Sequence, residues 1–433
     1  MERNIEVQQV ENLIKMVLTG SSSKHKTFWF LSLWFILTQT FPPINLLLPI
    51  PGVLHFPIFI GITMLLFPKL MFKKSMVCLY AYIGFAFLFF LTGNDYYGKI
   101  GRVTNPLLDM GAGLLIAEYV LKYDTNYRYT RWIIYVVIIS NVIMSIISIP
   151  KVYLFPNIIR ISSKEYAADI IDYTGLKWLI SYQTCHGLPF LFAPLILLCR
   201  NMLKINKRLF FFWCVSTIIL CYILYLSNAT TALLISILFI AMGLFSEHER
   251  FSSRSLLFLA LGGLMIIIIS STSILIPILD FVQGNMDESW SNYHKLEDIK
   301  QQILYGSSEG DVEARGTLYE TSFKLFLESP IIGTTRPQDI SHHSWFLDNL
   351  ACFGIILILP LVLILFNNVK SIYKNLRHSK VAYVYGVAAW FLMLILKNEF
   401  GQGTWLYGFA FLPLICRYID YMKDNNLTII IKK

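Results

Sequence analysis

Between Phe28 and Cys416 the chain is a succession of apolar runs, separated by short gaps where lysine and arginine collect. Most runs approach the ~20 residues a helix needs to cross a bilayer. In hydrocarbon each backbone N–H and C=O must be satisfied inside its own segment, and an apolar run of this length does so as an α-helix. Only 15% of the residues are charged and 56% are hydrophobic, whereas a soluble chain has about a quarter charged. The expected fold class is therefore all-α: a polytopic integral membrane protein of about twelve transmembrane helices. They are placed near 28–49, 53–67, 76–92, 107–121, 132–149, 187–199, 209–226, 229–245, 255–277, 345–366, 381–396 and 402–416.

This divides the chain into an N-terminal segment 1–27, nine helices within 28–277 interrupted by a loop at 150–186, a large loop 278–344 before the tenth helix, three helices within 345–416, and a tail 417–433. The first apolar run continues past Pro42 and Pro43 with no small-residue cleavage site, so an uncleaved first helix is expected. No internal repeat is visible.

The formal charge of +9 raises the question of nucleic acid, but the basic residues sit at the ends of the apolar runs. With the N-terminus inside, 24 of the 36 Lys and Arg fall in cytoplasmic segments, among them Lys69, Lys73, Lys74, Lys122, Arg200, Lys204, Lys370, Lys374, Arg377 and Lys380. That is the asymmetry of an inner-membrane protein, and it leaves no case for nucleic acid. The seven cysteines form no CxxC pair. Neither a disulfide framework nor a metal site is expected, and no cofactor.

The two longest external segments, 150–186 and 278–344, exceed what a turn requires. The larger holds eleven Asp and Glu against five Lys and Arg, so Arg315 and Arg336 stand out within it. Tyr319, Phe323 and Phe326 recur at helical spacing, which predicts an amphipathic helix at the membrane surface, ended by Pro330 and Gly333. The stretch HSWFLDNLACFG, residues 343–354, then opens the tenth helix. His343, Leu347, Leu350 and Gly354 fall on one stripe of it, and the glycine lets a neighbouring helix approach closely. Asp109, Glu118 and Asp348 lie in apolar runs, where a carboxylate faces the bundle or an aqueous cavity and is a candidate for lining a substrate groove.

Residues 315–354 resemble the signature region of the O-antigen polymerase and O-antigen ligase superfamily. Arg315 opens a surface helix, LFLESPIIG at 325–333 supplies the Pro-x-x-Gly turn, and His343, Leu347, Leu350 and Gly354 follow in the family's order. Ser344 stands where the family usually has asparagine. The resemblance implies a metal-independent glycosyltransferase in the bacterial cytoplasmic membrane, its active site facing the periplasm. Its substrate would be an oligosaccharide carried on undecaprenyl diphosphate, and its surroundings membrane lipids, with a chain-length regulator and a flippase as candidate partners.

A leaving diphosphate calls for guanidinium groups that bind phosphate oxygens in a fork. An acceptor hydroxyl calls for a base or a hydrogen-bond acceptor, which a histidine near neutrality supplies. Arg315 is thus assigned to the diphosphate and His343 to acceptor activation or diphosphate binding. The plainer alternatives are an ion pair of Arg315 with Glu313 or Glu320, and an interfacial, helix-capping His343. The family's second arginine, in an earlier external loop, corresponds best to Arg160. His186 in YQTCHGLP, Arg336 and Glu399 in KNEFGQG complete the candidate substrate-binding set. Asp95, Tyr96, Tyr97, Lys99 and Arg102 suit either sugar contact or an interfacial position.

Polymerization of lipid-linked repeats into O-antigen or a related surface polysaccharide is the leading function. The alternatives are ligation of the finished glycan to lipid A core and transport of the lipid-linked glycan. Duplicated halves, which a transporter often carries, are absent, and no phosphate-binding loop of an ATP-driven pump occurs. Alkaline phosphatase fused after residue 160 or 300 is expected to be active, and fused after residue 205 or 376 inactive; the reverse pattern would invert the topology.

Overall fold

The computed structural model describes residues 23–46, 52–91, 100–124, 127–155, 158–161, 178–244, 272–286, 288, 293–294, 296–298, 300–301, 311–334, 340, 344–397 and 402–431. Its longer helices are α1 (23–40), α2 (Gly52–Leu66), α3 (Lys74–Leu91), α4 (Ile100–Tyr123), α5 (Arg128–Leu154), α6 (Pro189–Ile205), α7 (Lys207–Leu226), α8 (Thr230–Leu244), α9 (Thr272–Gln283), α10 (Asp311–Glu328), α11 (Trp345–Asn375), α12 (Lys380–Leu396) and α13 (Leu412–Ile431). No strand occurs among the described residues.

Three of these, α5, α7 and α11, are long and apolar enough to cross a membrane, with 27, 20 and 31 residues. At 1.5 Å per residue they span about 30 to 46 Å, and the hydrocarbon core measures about 30 Å. Helices α2, α3, α8 and α12 are apolar but shorter. Large apolar side chains point outward along the bundle, including Leu65, Phe72, Phe211, Ile218 and Phe366. Such a surface suits a hydrocarbon surrounding and is compatible with a membrane protein.

Helix α6 is the hub. It packs against α7, α8, α12 and α13, and its first turns, from Pro189 through Leu195, are buried on every side. Around it, α5 packs on α7 and α13, and α11 packs on α3, α10 and α12.

Several boundaries differ from the expected ones, each for a local reason. The first helix stops at residue 40, because Pro42 and Pro43 withhold backbone donors and a short 3-10 turn, Pro42–Leu46, follows. Helix α11 runs to Asn375, past the expected 366, with Pro360 tolerated inside. The expected helix 402–416 is instead a short α-turn, Gln402–Leu406, then a π-helical turn, Tyr407–Phe411, then α13, which continues through much of the expected tail. Most of the expected helix 255–277, with residues 92–99 and 162–177, lies outside the described residues; α9 extends through Gln283.

The largest departure is inside α11. At Gly354 the backbone takes φ 59° and ψ −160°, and the helix breaks. The freed groups find partners upstream: Ile355 N–H donates to Pro330 O (2.9 Å), Ile356 N–H to Ile331 O (3.2 Å), and Thr334 N–H to Ala351 O (2.7 Å). The stripe reading of Gly354 as a helix–helix contact is thereby corrected, since what approaches is a turn's backbone. A Cβ on Gly354 would sit 2.4 Å from Ile331 O, and one on Gly333, where φ is 76°, 2.2 Å from Cys352 O.

Gly354→Ala is expected to destabilise the protein by about 1–3 kcal/mol from backbone conformation alone, with more from displacing the turn. Gly61, where a Cβ meets nothing within 4 Å, is the control: Gly61→Ala should leave the detergent melting temperature unchanged or raised.

Candidate active site at one end of the bundle

Basic residues gather at one end of the helices, where buried carboxylates cap backbone amides. Asp420 accepts from the N–H groups of Arg377 (2.7 Å) and His378 (3.0 Å), and Asp124 from Thr130 N–H and Oγ1 (both 2.7 Å). Glu118, a candidate groove residue, is at this end and pairs with Lys73 at 3.4 Å.

The candidate site is built at the opposite end, from the turn described above. Because that turn fixes the end of α10 on α11, the inward row of α10 meets the first turn of α11. Ser322 Oγ donates to Asp348 Oδ1 (2.7 Å), and Tyr319 OH donates to Leu396 O at the end of α12 (3.1 Å). Phe323, expected on the same face, is half-exposed instead, while Ser322 is fully buried.

The start of α11 is closed by a reciprocal cap. Ser344 Oγ accepts from Leu347 N–H (3.1 Å), and Asp348 Oδ2 accepts from Ser344 N–H (3.1 Å). A carboxylate in the first turn also complements the partial positive charge of the helix N-terminus. Asp348 thus faces the bundle, as expected, and its bonds are those of a structural anchor. Asparagine caps as well as serine.

Trp345 extends the site sideways. Its N–H donates to Lys397 O (2.9 Å), and its ring meets Trp405 edge-on at 5.0 Å. Next to Trp405, Thr404 Oγ1 donates to Gln183 O (3.2 Å) in the short helix Tyr182–Gly187. That helix carries His186, which is buried with its ring edge-on to Tyr182 at 4.5 Å. It is tied to α5 by Ile180 N–H, which donates to Ser148 Oγ (2.8 Å). Arg160 is half-buried on the turn Ile158–Ile161, which also packs against α5.

The elements carrying Arg160, His186 and Arg315 therefore assemble at one end, together with the N-cap Ser344 that His343 directly precedes in sequence. Position 315 is on the same helical row as Tyr319 and Ser322, four and seven residues earlier. The side chains of Arg315, Arg102 and Asp109 lie outside what the structure describes, as do His343, Arg336 and Glu399, and Asp95, Tyr96, Tyr97 and Lys99. Of the two carboxylates weighed as partners for Arg315, Glu320 is engaged by Lys324 Nζ at 2.7 Å, which holds its carboxyl below the usual range.

The long acidic loop is pinned to α9 by a second ionic cluster. Lys300 Nζ lies 2.9 Å from Asp280 and 3.1 Å from Glu297, and Gln283 donates to Glu297 (2.9 Å). Hydrogen bonds from Gln283, Gln301 and Lys300 hold the Glu297 carboxyl down to about 2. Its contribution is present above the ordinary carboxylate range and is lost only as pH falls toward 2.

Beneath this surface runs a buried polar row on α5, Asn141, Ser145 and Ser148; Tyr407 OH donates to Asn141 Oδ1 at 2.8 Å. Spacing of four and three along an otherwise apolar helix was its signal in the sequence. Among the described residues no cluster of His, Cys, Asp or Glu could hold a metal ion.

Asp348→Ala strands the Ser322 hydroxyl and the Ser344 amide, and is expected to cost about 1–3 kcal/mol. Ser344→Ala should cost ~1 kcal/mol and Ser344→Asn close to nothing, all measured by thermal unfolding in detergent. No family model, curated protein or solved structure matches this chain.

Proposed function

We propose that this chain is a polytopic protein of the bacterial cytoplasmic membrane, with about twelve spans, that polymerizes oligosaccharide repeats carried on undecaprenyl diphosphate into O-antigen or a related surface polysaccharide. In this reading Arg315 binds the leaving diphosphate and His343 activates the acceptor hydroxyl or shares the diphosphate. Arg160, Arg336, His186 and Glu399 are candidates for holding substrate. The chemistry faces the periplasm and uses neither metal nor cofactor.

The observation that supports it best is the backbone exchange between the Pro330–Gly333 turn and the break at Gly354. It joins the two halves of the resembling motif, so that the helix bearing Arg315 ends on the helix that His343 precedes. A glycosyl transfer in which a diphosphate leaves while a hydroxyl attacks needs a cation and a base held on rigid, mutually fixed elements. The half-exposed apolar residues Phe323, Leu327, Ile331 and Ile332 along α10 and its turn suit a helix lying at a membrane surface, where a polyprenyl carrier presents its diphosphate.

Arg315→Ala and His343→Ala should each abolish chain extension while the protein still inserts in the membrane. Arg315→Lys should restore little, because a point charge replaces a fork. The readout is the glycan ladder by gel. Cells lacking the gene should show core bearing a single repeat. Unmodified core with long chains left on the carrier would mean a ligase, and an unchanged ladder, or normal length in both alanine variants, would overturn the assignment.

A further inference from the structure

We infer that a second, non-catalytic lipid site lies between α11 and α12, a groove that binds one phospholipid with an anionic headgroup from the leaflet on the basic side.

The groove encloses about 410 Å³ and is walled by apolar side chains, among them Val362, Phe366 and Val369 of α11 and Val387, Trp390 and Leu394 of α12. That volume is within the range of small-molecule pockets, ~300–1,000 Å³. It runs along α11 from Val362 to Tyr373, a rise of about 16 Å, or about half of the ~30 Å hydrocarbon thickness. The groove has the length of one leaflet.

Its polar end has a definite sign. Lys370 lines the groove at the α11 C-terminal side with its ammonium 5.2 Å from the Phe366 ring, and Lys380 Nζ lies 5.2 Å over the ring of Tyr373, which also lines it. Among the described residues neither lysine meets a carboxylate, whereas the neighbouring Arg377 and His378 are paired with Asp424 at 3.5 and 3.0 Å. An apolar slot one leaflet long, ending in two ammonium groups that meet no carboxylate among the described residues, is complementary to an acyl chain and its phosphate. Basic pockets between helices recognise anionic headgroups by the same chemistry. The inference needs only that α11 and α12 cross the bilayer and does not depend on the glycan chemistry.

The test uses the full chain in nanodiscs containing phosphatidylglycerol and phosphatidylethanolamine of equal acyl length, one or the other carrying a photoreactive diazirine in its chain. Label from phosphatidylglycerol should concentrate at 362–373 and 387–394, well above label at lipid-facing positions such as Leu65 and Ile218. Lys370→Gln, a change at an exposed side chain, should lower groove label about fivefold, which corresponds to ~1 kcal/mol. Val387→Trp should block it while labelling elsewhere persists. Equal labelling by phosphatidylethanolamine, label spread evenly over the outer surface, an unlabelled groove covered by another part of the chain, or full labelling of the Lys370→Gln variant would each overturn the proposal. Polysaccharide length is a separate readout, so loss of the groove and loss of the enzymatic reading are distinguishable.

Discussion

A buried helix cannot be interrupted without partners for the backbone groups it frees. Helix α11 is interrupted at Gly354, and the partners are the carbonyls of Pro330 and Ile331 and the amide of Thr334. The rest of that end of the bundle depends on this exchange. It sets the angle at which α10 leaves the turn, which brings Ser322 to Asp348 and Tyr319 to the last carbonyl of α12. Both glycines are required for the same reason: two backbones approach so closely that a methyl group on either would overlap a main-chain atom.

The two ends of the bundle are held by different means. At the basic end, buried carboxylates accept from loop amides: Asp420 closes the connection between α11 and α12, and Asp124 the start of α5. At the other end the Asp348 cap is joined by main-chain groups that bond directly to main-chain groups across distant segments. This suits an end whose elements must keep a fixed relation.

Much of this was legible in the sequence. The apolar runs marked most of the described helices, because an apolar segment of that length satisfies its own backbone as a helix, and the Pro-x-x-Gly turn and Gly354 were singled out. Their relation was not legible: spacing suggested a continuous helix with a small residue at a packing face, since periodicity carries no information about a backbone torsion. The short elements also escaped. The 3-10 turn at Pro42 and the π-turn at Tyr407–Phe411 depend on local sterics and packing that a hydropathy window averages away. Asp348 was correctly turned inward, yet its tie to α10 needed Ser322, twenty-six residues upstream and unremarkable by itself. The row Asn141, Ser145, Ser148 was within reach of a periodicity argument, had polar residues inside apolar runs been followed as closely as charged ones.

The direction of the exchange at Gly354 bears on how the chain is made. The segment that completes the broken helix, 330–334, precedes the break by about twenty residues. At roughly 5–20 residues per second of synthesis, that segment leaves the ribosome about 1–4 s before the amides of Ile355 and Ile356. The turn is therefore already made when the flawed stretch of α11 emerges. Reversed in order, the amides of Ile355 and Ile356 would remain exposed until their acceptors had been synthesised.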